Sequence, residues 1–143
     1  MIIADTSGLL AAMDPDEVHH EACRSVIEAE GAPLVLSPFV LAELDYLVTR
    51  KLGTEAELAM LRDVSAGAYR LIPMDSGDVA SARSVVARYR DLGIGLTDAS
   101  IAVLAEKYGT FDVLTLDERH FRAMRSGKGD AFRLLPADRR SGG

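Results

Sequence analysis

Short apolar runs alternate with helix-length segments along this chain, and that alternation restricts the fold more than any other feature. Residues 2–4, 34–36, 70–72, 113–115 and 132–135 read as short strands. Between them lie helix signals. Ser37 is placed to cap a helix with Pro38 in its first turn. Thr54-Glu55-Ala56-Glu57 reads as a capping box. Asp75 or Ser76 opens a helix whose apolar stripe is Val79, Ala82, Val85, Val86, Tyr89 and Leu92. Thr97 caps a helix over 98–108, and Gly109 ends it. Strands separated by helices pair in parallel, with helices on both faces of the sheet, so the fold class is α/β. Ligands of such open sheets bind outside the carboxyl ends of the strands. An acid directly after a buried strand is therefore a candidate site residue, and Asp5 and Asp117 both hold such positions.

The 143 residues suit one domain, assigned to 1–137, with 138–143 as a loose C-terminal tail. Hydrophobic residues make up 48% of the chain, which supports a core and excludes wholesale disorder. The single cysteine, Cys23, excludes an internal disulfide. Met1-Ile2-Ile3-Ala4-Asp5 lacks the basic region of a signal peptide. No apolar run approaches the roughly 20 residues that span a bilayer. A cytoplasmic protein with no membrane contact is the expectation.

The net charge of −6 argues at first against a nucleic-acid partner. Its distribution reverses that reading. Residues 119–143 carry seven basic side chains against two acidic ones, a local +5, which leaves −11 on residues 1–118. An acidic centre beside a basic contact surface suits a nucleic-acid enzyme, and a solvated tail is the competing explanation.

Four acids interrupt apolar patterns. Asp5 follows Ile2-Ile3-Ala4, where helix capping is an alternative role that Thr6 or Ser7 can also fill. Glu43 falls between Phe39 and Leu47 on a helical wheel, inside the apolar stripe, whereas Asp45 projects opposite Val40 and reads as solvated. A carboxylate in a buried stripe is costly unless a cation or a salt bridge compensates it. Asp98 opens an almost wholly apolar helix, where the helix dipole alone favours an acid. Asp117 ends Val113-Leu114-Thr115-Leu116, with Glu118 as its competitor. Four carboxylates near one sheet edge repel and raise one another's pKa. A divalent cation relieves that repulsion, and oxygen ligands favour Mg²⁺ or Mn²⁺ over zinc. Such a cation activates water and neutralises charge developing on a phosphate oxygen, which is the chemistry of phosphodiester hydrolysis.

Taken together, Ile3-Ala4-Asp5-Thr6-Ser7, Ser37-Pro38-Phe39-Val40-Leu41-Ala42-Glu43-Leu44, Leu96-Thr97-Asp98-Ala99-Ser100-Ile101-Ala102 and Leu114-Thr115-Leu116-Asp117-Glu118-Arg119-His120-Phe121 resemble the PIN-domain family. The likeness is closer still to the VapC toxins of bacterial VapBC toxin–antitoxin pairs, and it spans about residues 1–135. It implies a five-stranded parallel sheet flanked by helices. It also implies endoribonuclease activity with Mg²⁺ or Mn²⁺ at Asp5, Glu43, Asp98 and Asp117. Thr6, Ser7 and Thr115 match hydroxyl positions beside the metal site. The resemblance further implies a homodimer held inactive by a VapB-type antitoxin. For the RNA, taken to be structured with an accessible loop, Arg119, Arg122, Arg125 and Lys128 follow Asp117 directly, and Arg50 and Lys51 end the Glu43 helix.

Other signals are weaker. His19-His20-Glu21-Ala22-Cys23 matches no strong zinc spacing. Gly93-Ile94-Gly95 lacks the third glycine and the preceding strand of a dinucleotide fingerprint, and reads as a helix end and loop. An aspartyl phosphotransfer domain needs a nearby lysine, but Lys107 and Lys128 follow no strand end, and the phosphatase pattern would put an acid where Ser7 stands. A non-catalytic RNA- or protein-binding module is the remaining alternative, and the complete acidic set counts against it.

Overall fold

A computed structural model describes residues 1–126 and 128–139. In chain order the elements are β1 (Ile3–Ala4), α1 (Thr6–Met13), α2 (His20–Glu30), β2 (Leu34–Leu36), α3 (Pro38–Leu52), α4 (Thr54–Ser65), β3 (Tyr69–Leu71), α5 (Ser76–Arg88), a 3-10 turn (Arg90–Leu92), α6 (Leu96–Tyr108), β4 (Asp112–Leu114), α7 (Glu118–Ala123) and β5 (Arg133–Leu135). Each strand lies within one residue of an apolar run read from the sequence. The five named strands pair in parallel, in the order β3-β2-β1-β4-β5. The core centres on the inner strands. Ile3, Ala4, Leu36, Val113 and Leu114 are fully buried, together with Leu9, Val40, Ala99 and Ile101 from the helices that cover them.

This strand order locates the ligand edge. The chain runs outward from β1 through β2 to β3, then crosses back to lay β4 on the other side of β1. The direction of winding switches between β1 and β4, and a crevice opens outside the carboxyl ends of strands at such a switch. Helix α1 descends onto that point with no room to spare. A Cβ on Gly8 would lie 2.6 Å from the Leu114 carbonyl oxygen and 2.7 Å from its Cγ, so only glycine lets the helix approach β4 this closely.

Local signals decide several helix boundaries. Ser37 caps α3, its hydroxyl accepting from the Phe39 and Val40 N–H groups, with Pro38 in the first turn. Asp75 caps α5 in a reciprocal capping box with Asp78. Gly109 ends α6 in the left-handed conformation at φ 64°. Two expectations need correction. Thr54 does not open a capping box: a single residue, Gly53 at φ 93°, separates α3 from α4, takes the cap position and makes Thr54 the first helical residue. Thr97 does not cap α6, because the helix starts at Leu96 after Gly95. Of the stripe expected on α5, Ala82 is fully buried while Val79 stays 42% exposed.

No helix among the described residues is long and apolar enough to cross a membrane. Of the segment expected as a loose tail, residues 140–143 lie outside those described. Asp138 accepts hydrogen bonds from Arg122 and from the Leu134 N–H.

Candidate active site

The crevice between β1 and β4 collects the acids. Asp5 stands at the N-cap position of α1, yet its side chain makes no capping bond. Its backbone N–H donates to the Leu114 carbonyl at 3.0 Å, so the two strands hold it in place. The residue is 4% exposed. Its Oδ2 accepts from the Thr115 hydroxyl at 2.6 Å and from the Ser7 hydroxyl at 3.2 Å. Burial pushes the Asp5 pKa up to about 6, and the charge of Asp98 pushes the same way. The bonds from Thr115, the Thr6 backbone and Ser7 act in opposition.

The same hydroxyls shape the loop after β4. Thr115 Oγ1 accepts the Asp117 N–H at 2.9 Å, and Ser7 Oγ accepts the Leu116 N–H at 2.9 Å. Asp117 caps α7, with its Oδ1 accepting the His120 N–H at 3.0 Å. The third hydroxyl, Thr6 Oγ1, is buried without a hydrogen-bond partner.

Asp98 reaches the crevice from the first turn of α6. The Nδ1 atom of His120 lies 2.9 Å from Asp98 Oδ2 and 2.9 Å from Asp117 Oδ2. Since ionised carboxylate oxygens only accept, that ring nitrogen carries a hydrogen in this arrangement. Burial raises the Asp98 pKa; His120 opposes the shift, and the charges of Asp117 and Glu43 add to it. Ligand atoms of Asp98, Asp117 and His120 all lie within 4.8 Å of one another, about the spread of ligands around one cation.

Glu43 is coupled to this group through its charge on Asp98, but it is exposed and does not sit in a buried stripe as the helical wheel suggests. The buried line of α3 is Val40, Leu44 and Val48. Glu43 flanks that line on one side and Asp45 on the other. Asp45, expected in solvent, is half-buried with one carboxylate oxygen enclosed and unpartnered. The Asp45 carboxylate facing Glu57 of α4 raises the Glu57 pKa. Docking of α4 against that flank of α3 is the physical reason for the exchange. The start of α3 is tied to α6 by two fully buried hydroxyls, Ser37 and Ser100, 2.8 Å apart. Ser100 donates to the Thr97 carbonyl, so the Ser37 hydroxyl donates to Ser100 while it accepts from the start of α3. This chain of bonds sets the Glu43 helix against the turn that carries Asp98.

The basic residues are less uniform. Arg119 and Lys128 are exposed. Arg122 is committed elsewhere: it donates to both Asp138 oxygens at 2.7 Å and to Glu118 at 2.9 Å. Arg125 donates to the carbonyls of Arg122 and Met124. Arg50 stacks on and donates to Tyr46, and Lys51 lies 4.0 Å from Asp14. A cavity of about 300 Å³ borders the site, lined by His19, Thr115, Leu116, Glu118 and Pro136. A larger one of about 490 Å³ opens at the amino ends of the strands beside Pro33, Tyr69 and Arg70, away from the acids. Cys23 is buried in the core, and its thiol is pushed up to about 11 by that burial and by Glu17. His20 contacts the Ala11 carbonyl at 2.8 Å.

His120 was not among the residues singled out in the sequence. Its spacing three residues after Asp117, at the start of a helix, is the signal that points to it.

Comparison with known proteins agrees with this architecture. Residues 2–126 match the PIN domain family model. The chain is 44% identical over 135 residues to Ribonuclease VapC26 of Mycobacterium tuberculosis, covering 94% of this chain and 100% of the relative. Among solved structures, the sarcin–ricin loop cleaving toxin VapC20 of M. tuberculosis superposes with a TM-score of 0.76 at 20% identity, over 82% of this chain and 90% of that one. DNA-bound VapBC from Salmonella typhimurium gives a TM-score of 0.69 at 20% identity, over 93% and 96% of the two chains. With a family match across most of its length and a relative at this level of identity, the chain belongs to the PIN-domain family, among its VapC members.

Proposed function

We propose that this chain is a toxin-type endoribonuclease that hydrolyses RNA phosphodiester bonds with Mg²⁺ or Mn²⁺ held by Asp5, Glu43, Asp98 and Asp117. One observation carries the reading: Asp5, Asp98 and Asp117 converge at the switch point of the sheet, and Glu43 acts on Asp98 through its charge. Identity of 44% to a VapC ribonuclease supports RNA as the substrate. The donor set suits a divalent ion, since burial and mutual repulsion raise the Asp98 pKa in its absence and a cation reverses that cost. When bound, such an ion supplies neutralisation of phosphate charge and activation of water.

The chain's own residues do the remaining work. Thr115 and Ser7 orient Asp5 by donating to its Oδ2. Thr115 also fixes the backbone of Asp117. Asp98 and Asp117 face one another across His120. Arg119 and Lys128 offer charge to the flanking phosphates of a structured RNA with an accessible loop. The protein acts in the cytoplasm as a homodimer neutralised by a small VapB-type antitoxin, a reading supported by its likeness to chains of VapBC assemblies.

Asp98→Asn tests the assignment. Cleavage of RNA should disappear while the fold persists, and metal-free stability should stay level or rise because a carboxylate repulsion is relieved. An active Asp98→Asn enzyme would remove Asp98 from the site.

A further inference from the structure

We propose that His120 is a metal ligand of this site, and that its ring nitrogen makes the site favour Mn²⁺ over Mg²⁺. The inference rests on the metal-site reading above and goes beyond its all-carboxylate ligand set. Its basis is geometric. His120 Nδ1 lies 2.9 Å from an oxygen of Asp98 and 2.9 Å from an oxygen of Asp117, so two acids from separate helix starts face one nitrogen atom. A hydrogen-bond donor serving only to hold one carboxylate would not need to sit midway between two. One N–H cannot point well at both oxygens, whereas a cation satisfies all three atoms at once. The backbone is prepared for this placement, because the His120 N–H is already bonded to Asp117 Oδ1 at 3.0 Å. The three side chains are 21%, 16% and 30% exposed for His120, Asp98 and Asp117, which leaves a path for an ion from water.

As a ligand the ring uses the Nδ1 lone pair and keeps its hydrogen on Nε2. A neutral imidazole carries its single hydrogen on either nitrogen, and moving it to Nε2 frees the Nδ1 lone pair. An imidazole ligand then separates ions that carboxylates treat alike. Mg²⁺ takes oxygen ligands and retains its waters, while Mn²⁺ and the later first-row ions accept imidazole nitrogen more readily.

His120→Asn distinguishes a ligand from a hydrogen-bond donor, because the amide can still donate to the same carboxylates. Mn²⁺ and Mg²⁺ binding to the full chain should be measured by calorimetry, with pulsed electron paramagnetic resonance on the Mn²⁺-loaded wild type. The spectrum should show coupling to one imidazole nitrogen, absent in His120→Asn. Mn²⁺ affinity should fall about tenfold or more in the variant, the scale of losing a metal-supporting group, while Mg²⁺ affinity changes little. Absence of nitrogen coupling in the wild type overturns the proposal. Equal losses for both ions overturn it too, and assign His120 to positioning the acids. If wild type and Asp98→Asn bind neither ion, the metal-site reading itself fails, an outcome distinct from a site that binds both ions without preference.

Discussion

The hydroxyl of Thr115 donates to Asp5 at 2.6 Å across 110 residues of chain, and the same oxygen accepts the backbone N–H of Asp117. One side chain therefore ties the acid after β1 to the acid after β4. Thr115→Val keeps the shape and removes both bonds. Asp5 loses the donor that most opposes its raised pKa, and the Asp117 N–H loses its partner. Stability should fall by about 1–3 kcal/mol, the cost of stranding buried polar groups, and turnover should fall with it. Thr115→Ser should restore both. Denaturant titration and a cleavage assay on the two variants check this, and a fully active Thr115→Val would show that the link is dispensable.

The raised pKa of Asp5 predicts the pH response of the metal-free protein. The carboxyl titrates at about 6 when folded, against 3.8 as its ordinary value. Between those values the folded chain retains a proton that the unfolded chain has released. Stability from this group is therefore highest below pH 4 and declines as pH rises toward 6. The decline is on the order of 3 kcal/mol at 1.36 kcal/mol per unit. In excess chelator, Asp5→Asn should be more stable than wild type at pH 7 and should lose this part of the pH dependence. Parallel stability curves for the two proteins would contradict the assignment.

Gly8 sets how closely α1 approaches the site. The 2.6 Å separation between an added Cβ and the Leu114 carbonyl oxygen cannot be relieved by turning a flexible side chain, because the obstacle is backbone. Gly8→Ala should cost about 1–3 kcal/mol, the usual range for overpacking. It should also slow cleavage by moving Ser7 and Asp5 relative to Thr115. The melting temperature and kcat together test this; a variant of wild-type stability would mean that α1 shifts freely.

What could be read from the sequence was whatever is settled locally. Strand limits followed from apolar runs, and the caps at Ser37 and Asp75 from neighbours within three residues. The edge positions of Asp5 and Asp117 followed from the strands they succeed. Features set by packing between elements escaped. Glu43 and Asp45 exchanged environments because α4 docks on one flank of α3, which a helical wheel for α3 alone does not contain. His120 joins the acids across the fold only where Asp98, 22 residues earlier, meets its ring. The need for glycine at position 8 comes from β4, more than a hundred residues away in the chain. Arg122 looked available until the fold brought Asp138 against it.

That pairing separates two arginines that the sequence treats as equivalent. Arg122 donates to both oxygens of Asp138 and to Glu118, and its bonds to Asp138, with that from the Leu134 N–H, hold the Asp138 carboxyl down at about 2. Its charge is balanced by two acids before any phosphate arrives. Arg119 is exposed, and among the described residues it forms no ion pair. A phosphate contact lowers the log–log salt slope of binding by roughly one unit when it is removed. In an Asp98→Asn background, expected to bind RNA without cutting it, Arg119→Gln should weaken binding and reduce the slope by about one unit. Arg122→Gln should leave the slope nearly unchanged. Its effect should appear in stability, by up to about 1 kcal/mol as for other exposed ion pairs. Fluorescence anisotropy with a labelled RNA stem–loop from 50 to 200 mM salt, a range over which phosphate contacts register strongly, resolves the difference. If Arg122→Gln flattens the slope while Arg119→Gln does not, RNA displaces Asp138 from Arg122 and crosses the surface along β5 instead.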